Sequence, residues 1–286
     1  VAFEWAELRY RVNAGPWRPV PLEPGAASSA WWTIELLPRA LREGPNRVVI
    51  EATAPGRRSV FETIRFEYDA TLPELPLLQE WRAPLDVQYG AWEVVDAGGG
   101  RRLRPVPGTE GYDSIVLASG AFPGGRRVET EIVFRSFPSE TIWAGFGVLT
   151  MWGGHHEPGD HRPRRGWEYA VAWYMKPYGA WCEFSTRAGD GQRHDAFAGE
   201  TWPALEPDSR WRLVAEAWPE IDAQGAHVAH RQRMKLWPAG EPEPERWLET
   251  AERGAARLPP GDYAVAVVAL EAQVEFGPLR ITALPA

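Results

Sequence analysis

Trp167-Glu168-Tyr169-Ala170-Val171-Ala172-Trp173-Tyr174-Met175-Lys176 places a large side chain at every second position from Trp167 to Met175. That is the period of a β-strand rather than a helix, and it predicts a strand with one buried face. Tryptophan is dense around it: of the 16 in the chain, ten lie between Trp143 and Trp247. A two-sheet sandwich buries some of these rings, and others are expected on a sheet face or loop rim. Flat rings in water can hold the apolar face of a sugar while nearby Asp, Glu, Asn and Arg take its hydroxyls. The competing reading is that the rings only fill a large core.

Composition narrows the classes. A chain of 286 residues can bury one large core, or one small and one larger. A net charge of −8 argues against nucleic acid as the main partner. Lys176 and Lys235 are the only lysines, and the preference for arginine, with 28 Gly and 27 Pro, points to a GC-rich bacterial genome. Cys182 is the sole cysteine, so no intrachain disulfide forms, and its strand-like setting predicts a buried, inert thiol. No run of about 18 apolar residues occurs, so no membrane insertion is expected. The opening Val1-Ala2-Phe3-Glu4-Trp5 has neither leader nor initiator Met and reads as a mature or shortened chain.

Two segments flank a proline-rich linker at 71–77. In residues 1–70, Leu8, Tyr10 and Val12 alternate, as do Val48, Ile50 and Ala52, with turn residues such as Asn13-Ala14-Gly15 between runs. Residues 78–286 offer about ten strand candidates: Trp92–Val95, Ser114–Leu117, Val128–Phe134, Ala144–Trp152, Trp167–Met175, Ala180–Thr186, Trp211–Trp218, His227–Trp237, Tyr263–Leu270 and Val274–Ile281. One short helix is expected around Trp247–Ala255. The fold class is therefore all-β: a small sandwich followed by a large antiparallel jelly roll.

The runs Arg11–Trp17, Leu41–Ala54 and Phe66–Asp69 resemble bacterial immunoglobulin-like repeats of secreted enzymes and surface proteins. Gly90–Asp96, Leu103–Pro107, Val128–Phe134, Gly166–Tyr174, Trp211–Ala217, Met234–Trp247 and Val274–Thr282, in that order, resemble the concanavalin A-like lectin/glucanase sandwich. Within it they are similar to laminin-G-like modules and to the bacterial 3-keto-disaccharide hydrolases. The resemblance implies an extracellular or cell-surface protein, a glycan partner and Ca²⁺ as the usual ion, with other domains in a longer secreted chain. Asp96, Asp113, Asp160 and Asp262 sit in turn contexts but lack a calcium-loop spacing. No cofactor is required.

Candidate chemistry is scattered. Glucanases of this fold carry Glu-x-Asp-x-x-Glu on one strand, and no such segment is present. Glu129 and Glu131 share a strand face and could form a carboxylate pair, or a solvated outer face. The loop Trp152-Gly153-Gly154-His155-His156-Glu157-Pro158-Gly159-Asp160-His161 concentrates imidazole and carboxylate. His155, Asp160 and His161 could take a metal, and His155 or His156 could act as a base; the plain alternative is a polar surface loop. Tyr174 and Lys176 share a face, and Tyr174–Gly179 resembles the tyrosine-lysine strand of jelly-roll alginate lyases, although that family's Gln-Ile-His and Arg-Glu-Arg strands are unmatched. Lys235 and Trp237 share a face at a strand end to which Trp247 returns after a proline-rich loop.

These observations favour carbohydrate recognition, with Trp152, His155, His156, Trp173, Arg231, Lys235, Trp237 and Glu243 as binding residues. The enzymatic alternative, a glycoside hydrolase or polysaccharide lyase, would use His155, His156, Tyr174, Lys176 and Glu131. A structural or adhesive spacer is the third reading.

Overall fold

The computed structural model describes residues 7–20, 23–24, 30–31, 34, 36, 41–54, 56, 58–68, 75–109, 114–121, 123–138, 143–155, 167–176, 178–185, 196–197, 205–251, 258 and 261–285. The chain divides into two compact units, Val1–Leu72 and Pro73–Ala286.

The first unit comprises β1 (Glu7–Val12), β2 (Arg18–Pro19), β3 (Glu23–Pro24), β4 (Ala30–Trp31), β5 (Gly44–Thr53) and β6 (Val60–Tyr68). Four of these form an antiparallel sheet in the order β2-β1-β5-β6, and β3 pairs with β4. The alternating residues share one face: Tyr10, Val20, Val48 and Ile50 are buried, with Leu8, Val12 and Phe66 packed on them. Asn13 takes a positive φ of 54° after β1, and its Oδ1 accepts from the backbone N–H of Arg47.

The second unit contains β7 (Leu77–Gln79), β8 (Asp86–Tyr89), β9 (Trp92–Ala97), β10 (Gly100–Pro105), β11 (Ser114–Leu117), β12 (Arg126–Ser136), β13 (Ala144–His155) and β14 (Trp167–Lys176). It continues with β15 (Gly179–Ser185), β16 (Ala196–Phe197), β17 (Arg210–Ile221), β18 (His227–Pro238), β19 (Leu248–Ala251), β20 (Ala264–Leu270), β21 (Gln273–Phe276) and β22 (Leu279–Ala283). A nine-stranded sheet runs β19-β18-β17-β12-β21-β10-β9, with β22 joining β12 to β7. A seven-stranded sheet runs β16-β15-β14-β13-β20-β11-β8. Every pairing between these strands is antiparallel. The all-β antiparallel sandwich expected from the sequence is observed.

Two departures have local causes. Residues 248–251 form strand β19 rather than a helix, because they pair with the open edge of β18 and Leu248 packs on the core. Val274–Ile281 is two strands, since Gly277-Pro278 interrupts it and proline has no N–H for the ladder.

The two sheets enclose one apolar layer. The nine-stranded sheet contributes Val128, Ile132, Leu213, Met234 and Phe276, and the seven-stranded sheet contributes Phe146, Val148, Ala172, Cys182 and Val267. Polar side chains also span the gap. Gln232 donates to the Val171 carbonyl at 2.6 Å and accepts from the Thr150 hydroxyl at 2.5 Å. Arg126 of β12 donates to the Tyr263 carbonyl beside β20 at 2.8 Å, and burial holds its pKa down to about 10.

The opening sequence stretch is buried on both faces. Ala172 and Tyr174 face the layer between the sheets, whereas Tyr169, Val171, Trp173 and Met175 form a second buried cluster on the far side with Leu149, Trp152, Trp181 and Val268. The large residues thus lie opposite to the inter-sheet core. Gly147 stands directly across from Trp173, and a Cβ added there would lie 2.3 Å from both the Trp173 Cβ and the Ala172 carbonyl oxygen. Gly147→Ala is expected to destabilise the unit by about 1–3 kcal/mol, the usual cost of overpacking, read as a lower urea midpoint at unchanged slope.

Candidate functional site

The outer face of the seven-stranded sheet ends in an exposed aromatic step. The β14–β15 hairpin turns through Tyr178 and Gly179, with Gly179 at φ 86° and the Tyr178 N–H bonded to the Met175 carbonyl at 2.7 Å. This turn leaves Tyr178 42% exposed, and Trp143, just before β13, is 44% exposed. Their ring centroids are 5.4 Å apart. Tyr178 then meets Trp181 edge-on at 5.3 Å, and Trp181 lies 6.4 Å from Trp173. Four rings therefore lead from solvent into the second cluster. The register makes this path: Trp173 and Trp181 are cross-strand partners, and Ala144, next to Trp143, pairs with Lys176.

Polar groups accompany the rings. The Tyr169 hydroxyl donates to the buried Glu183 carboxylate at 2.7 Å. The buried indole N–H of Trp173 has no hydrogen-bond partner among the described residues, although such donors usually find one. A hydroxyl-bearing ligand entering beside Trp181 would offer an acceptor.

The outer face of the nine-stranded sheet is a lattice of ion pairs. Arg127, Glu216 and Arg233 stand opposite one another across β12, β17 and β18 and bond at 2.9 and 2.6 Å. Arg135 bonds Glu275 at 2.7 Å. The Trp247 ring lies under cations, with Arg233 and Lys235 each 4.3 Å from its centroid and Arg127 at 5.9 Å.

The residues singled out in the sequence divide between these two surfaces. Trp152 and Trp173 share the outer face of the seven-stranded sheet, both buried. Lys176 ends β14, half-buried. Arg231, Lys235, Trp237 and Glu243 belong to the other sheet and its loop. Arg231 pairs with Glu220 at 2.9 Å and Glu249 at 3.2 Å, and these carboxylates raise its pKa. Lys235 bonds Glu243 at 2.8 Å, and Trp237 is buried. Trp247 does return beside Lys235, as the sequence suggested.

For the enzymatic set, Glu131 also lies on the nine-stranded sheet, bonded to Arg102 and 3.9 Å from Arg210. Tyr174 points the other way, stacking on Phe146 at 5.9 Å, and burial raises the pKa of its phenol, which disfavours the phenolate a base would need. His155 ends β13, where only its backbone is described; His156, Asp160 and His161 lie outside the described residues. Among the described residues no group of three or more His, Cys, Asp or Glu could hold a metal ion. Among the described residues there is no helix long and apolar enough to cross a membrane. Cys182 is fully buried, and burial pushes its thiol pKa up.

Trp143, Tyr178 and Trp181 were not singled out for function. Tyr178 carried a signal, because Pro177-Tyr178-Gly179 between two alternating runs marks a hairpin tip.

No protein-family model matches the chain, and no curated protein matches it. Solved structures do. The carbohydrate-binding module CBM66 from Bacillus subtilis is 10% identical with a TM-score of 0.42, covering 70% of this chain and 95% of its own. The alginate lyase vAL-1 from Chlorella virus is 10% identical with a TM-score of 0.46, covering 70% and 92%. A Bacillus subtilis protein of unknown function with a galectin-like fold is 10% identical with a TM-score of 0.45, covering 70% and 89%.

Two measurements check this description. Cys182 should resist alkylation in native buffer and react fully once the chain is unfolded in urea. The Lys235 hydrogen bond lowers the pKa of Glu243, so its contribution is present above the ordinary carboxylate range and lost as pH falls through the lowered folded value. Because Glu243 is half open to water, Glu243→Gln should cost less than about 1 kcal/mol at neutral pH. That difference should vanish in acid.

Proposed function

We propose that the second unit is a carbohydrate-recognition module that holds glycan at the Trp143–Tyr178 step of the seven-stranded sheet. The observation that carries this is the exposed ring pair continuing inward through Trp181 to the unpartnered Trp173 indole N–H. Trp143 just before β13 and Tyr178 at the β14–β15 turn rest on one another, and exposed rings of this kind present flat apolar faces to sugar C–H groups. On the nine-stranded sheet, Arg127, Glu216 and Arg233, Arg135 and Glu275, and Lys235 and Glu243 are engaged in ion pairs with one another, which leaves these charges less to offer a neutral ligand.

Recognition without turnover is favoured over hydrolysis or elimination. Glu131 lies on the opposite sheet from Lys176, and Tyr174 faces inward. The reading places the protein where polysaccharide is met, outside the cell or at its surface. The first unit would then be an immunoglobulin-like spacer in a longer secreted chain, and a calcium ion, if bound, would involve acids of the loops.

The test is binding to a panel of neutral and acidic polysaccharides by affinity electrophoresis. Trp143→Ala and Tyr178→Ala should each weaken binding about tenfold or more, equivalent to about 1.4 kcal/mol, while Trp247→Phe should change it less than twofold. Equal binding by all four proteins, or retention by no polysaccharide, would contradict the proposal.

A further inference from the structure

The first unit carries a separate concentration of unmatched positive charge. A cavity of about 370 Å³ lies at the end of the β5–β6 pair, lined by Arg42, Pro45, Asn46, Arg47, Arg65, Phe66 and Glu67. Arg47 and Arg65 are direct partners in the antiparallel register. Like charges in that position repel, and natural sheets ordinarily place an opposite charge there. None of Arg42, Arg47 and Arg65 makes an ion pair among the described residues, and Glu67 is the single carboxylate in the lining.

The surroundings fix the backbone that carries Arg42 and Arg47. Asn46 is buried, and its amide donates to the carbonyls of Arg42 at 2.6 Å and Gly44 at 2.8 Å, while its Oδ1 accepts from the Arg42 N–H at 3.1 Å. Asn13 closes the bracket by donating to Asn46 at 2.8 Å and accepting from the Arg47 N–H at 3.0 Å. Arg42 spends its Nε on the Pro45 carbonyl at 2.8 Å, and among the described residues its two terminal nitrogens are left for a ligand. Arg11 extends the same sheet face. Its guanidinium lies 4.8 Å over Trp17, and its buried Nε has no hydrogen-bond partner among the described residues.

We infer that this cavity binds an oxyanion, a carboxylate or sulfate group, bridged between Arg47 and Arg65 and capped by Arg42. Guanidinium groups match such oxygens in a planar fork, and an anion between two of them removes their repulsion. The inference stands on the first unit alone and does not depend on the carbohydrate reading of the second. The first 72 residues hold nine arginines and nine acidic residues, so the whole net charge of −8 falls on the remainder. This unit is therefore the better placed of the two to attract an anion.

Inorganic sulfate and polygalacturonate are the probes, with dextran as the neutral control, followed by titration calorimetry on the full chain at low salt. Binding of sulfate or polygalacturonate should be lost at least tenfold in Arg47→Gln/Arg65→Gln and kept within twofold in the charge-matched Arg18→Gln/Arg58→Gln. Sulfate binding as well as polymer binding would show that a free oxyanion suffices; polymer binding alone would show that the anion must be carried on a chain. Arg65→Glu supplies a readout that a purely structural role would not give: it should raise the ligand-free melting temperature while abolishing anion binding. No binding of either anion, or binding equal in the Arg47→Gln/Arg65→Gln protein, overturns the inference.

Discussion

Trp173 and Gly147 occupy the same width of sheet, and only one of them can carry a side chain there. The indole takes the space because its strand neighbour has no Cβ, and the placement of the other rings follows. With Trp173 across Gly147 and Met175 across Gly145, strand β14 turns Tyr169, Val171, Trp173 and Met175 outward and presents Ala170, Ala172 and Tyr174 inward. Phe146, Val148, Met234 and Leu236 then fill the layer between the sheets. Met151, Ala170 and Phe184 form a smaller buried cluster of their own. The seven-stranded sheet is consequently buried on both faces, an arrangement more familiar in parallel sheets than in antiparallel ones.

This double burial explains which parts of the architecture were legible in the sequence. The alternation in Trp167–Lys176 identified the strand, and the same logic located β12, β13, β17, β18 and β20. Alternation marks two faces but does not say which of them meets the other sheet. The large residues suggested the core side, whereas the core takes Ala172 and the large residues form their own cluster. The helix expected near Trp247 failed for a different reason. A short segment has weak intrinsic preference, and the unsatisfied edge of β18 decided it.

The binding residues were harder to read. Trp152, Trp173 and Trp237 were chosen as rings in strands, where burial is the usual outcome; Arg231, Lys235 and Glu243 were chosen as polar groups nearby. Sequence proximity could not show that Arg127, Glu216 and Arg233 would align across three strands, because register is a long-range property. Once aligned, these charges satisfy each other and cover Trp247. The exposed rings, Trp143 and Tyr178, sit outside the alternating runs, at a strand start and a hairpin tip, where side chains escape the pleat.

The central claim is that glycan contacts the Trp143–Tyr178 step and reaches Trp181. Indole ¹H–¹⁵N spectra test it directly, since each of the 16 tryptophans gives its own N–H signal. Titration with oligosaccharide fragments of a retained polysaccharide should move the Trp143, Trp181 and Trp173 signals along one saturable curve. Trp81, whose indole is buried against the Gly277 carbonyl at 2.7 Å, should stay fixed. Shifts confined to Trp218 and Trp247, or to no indole, would contradict the account.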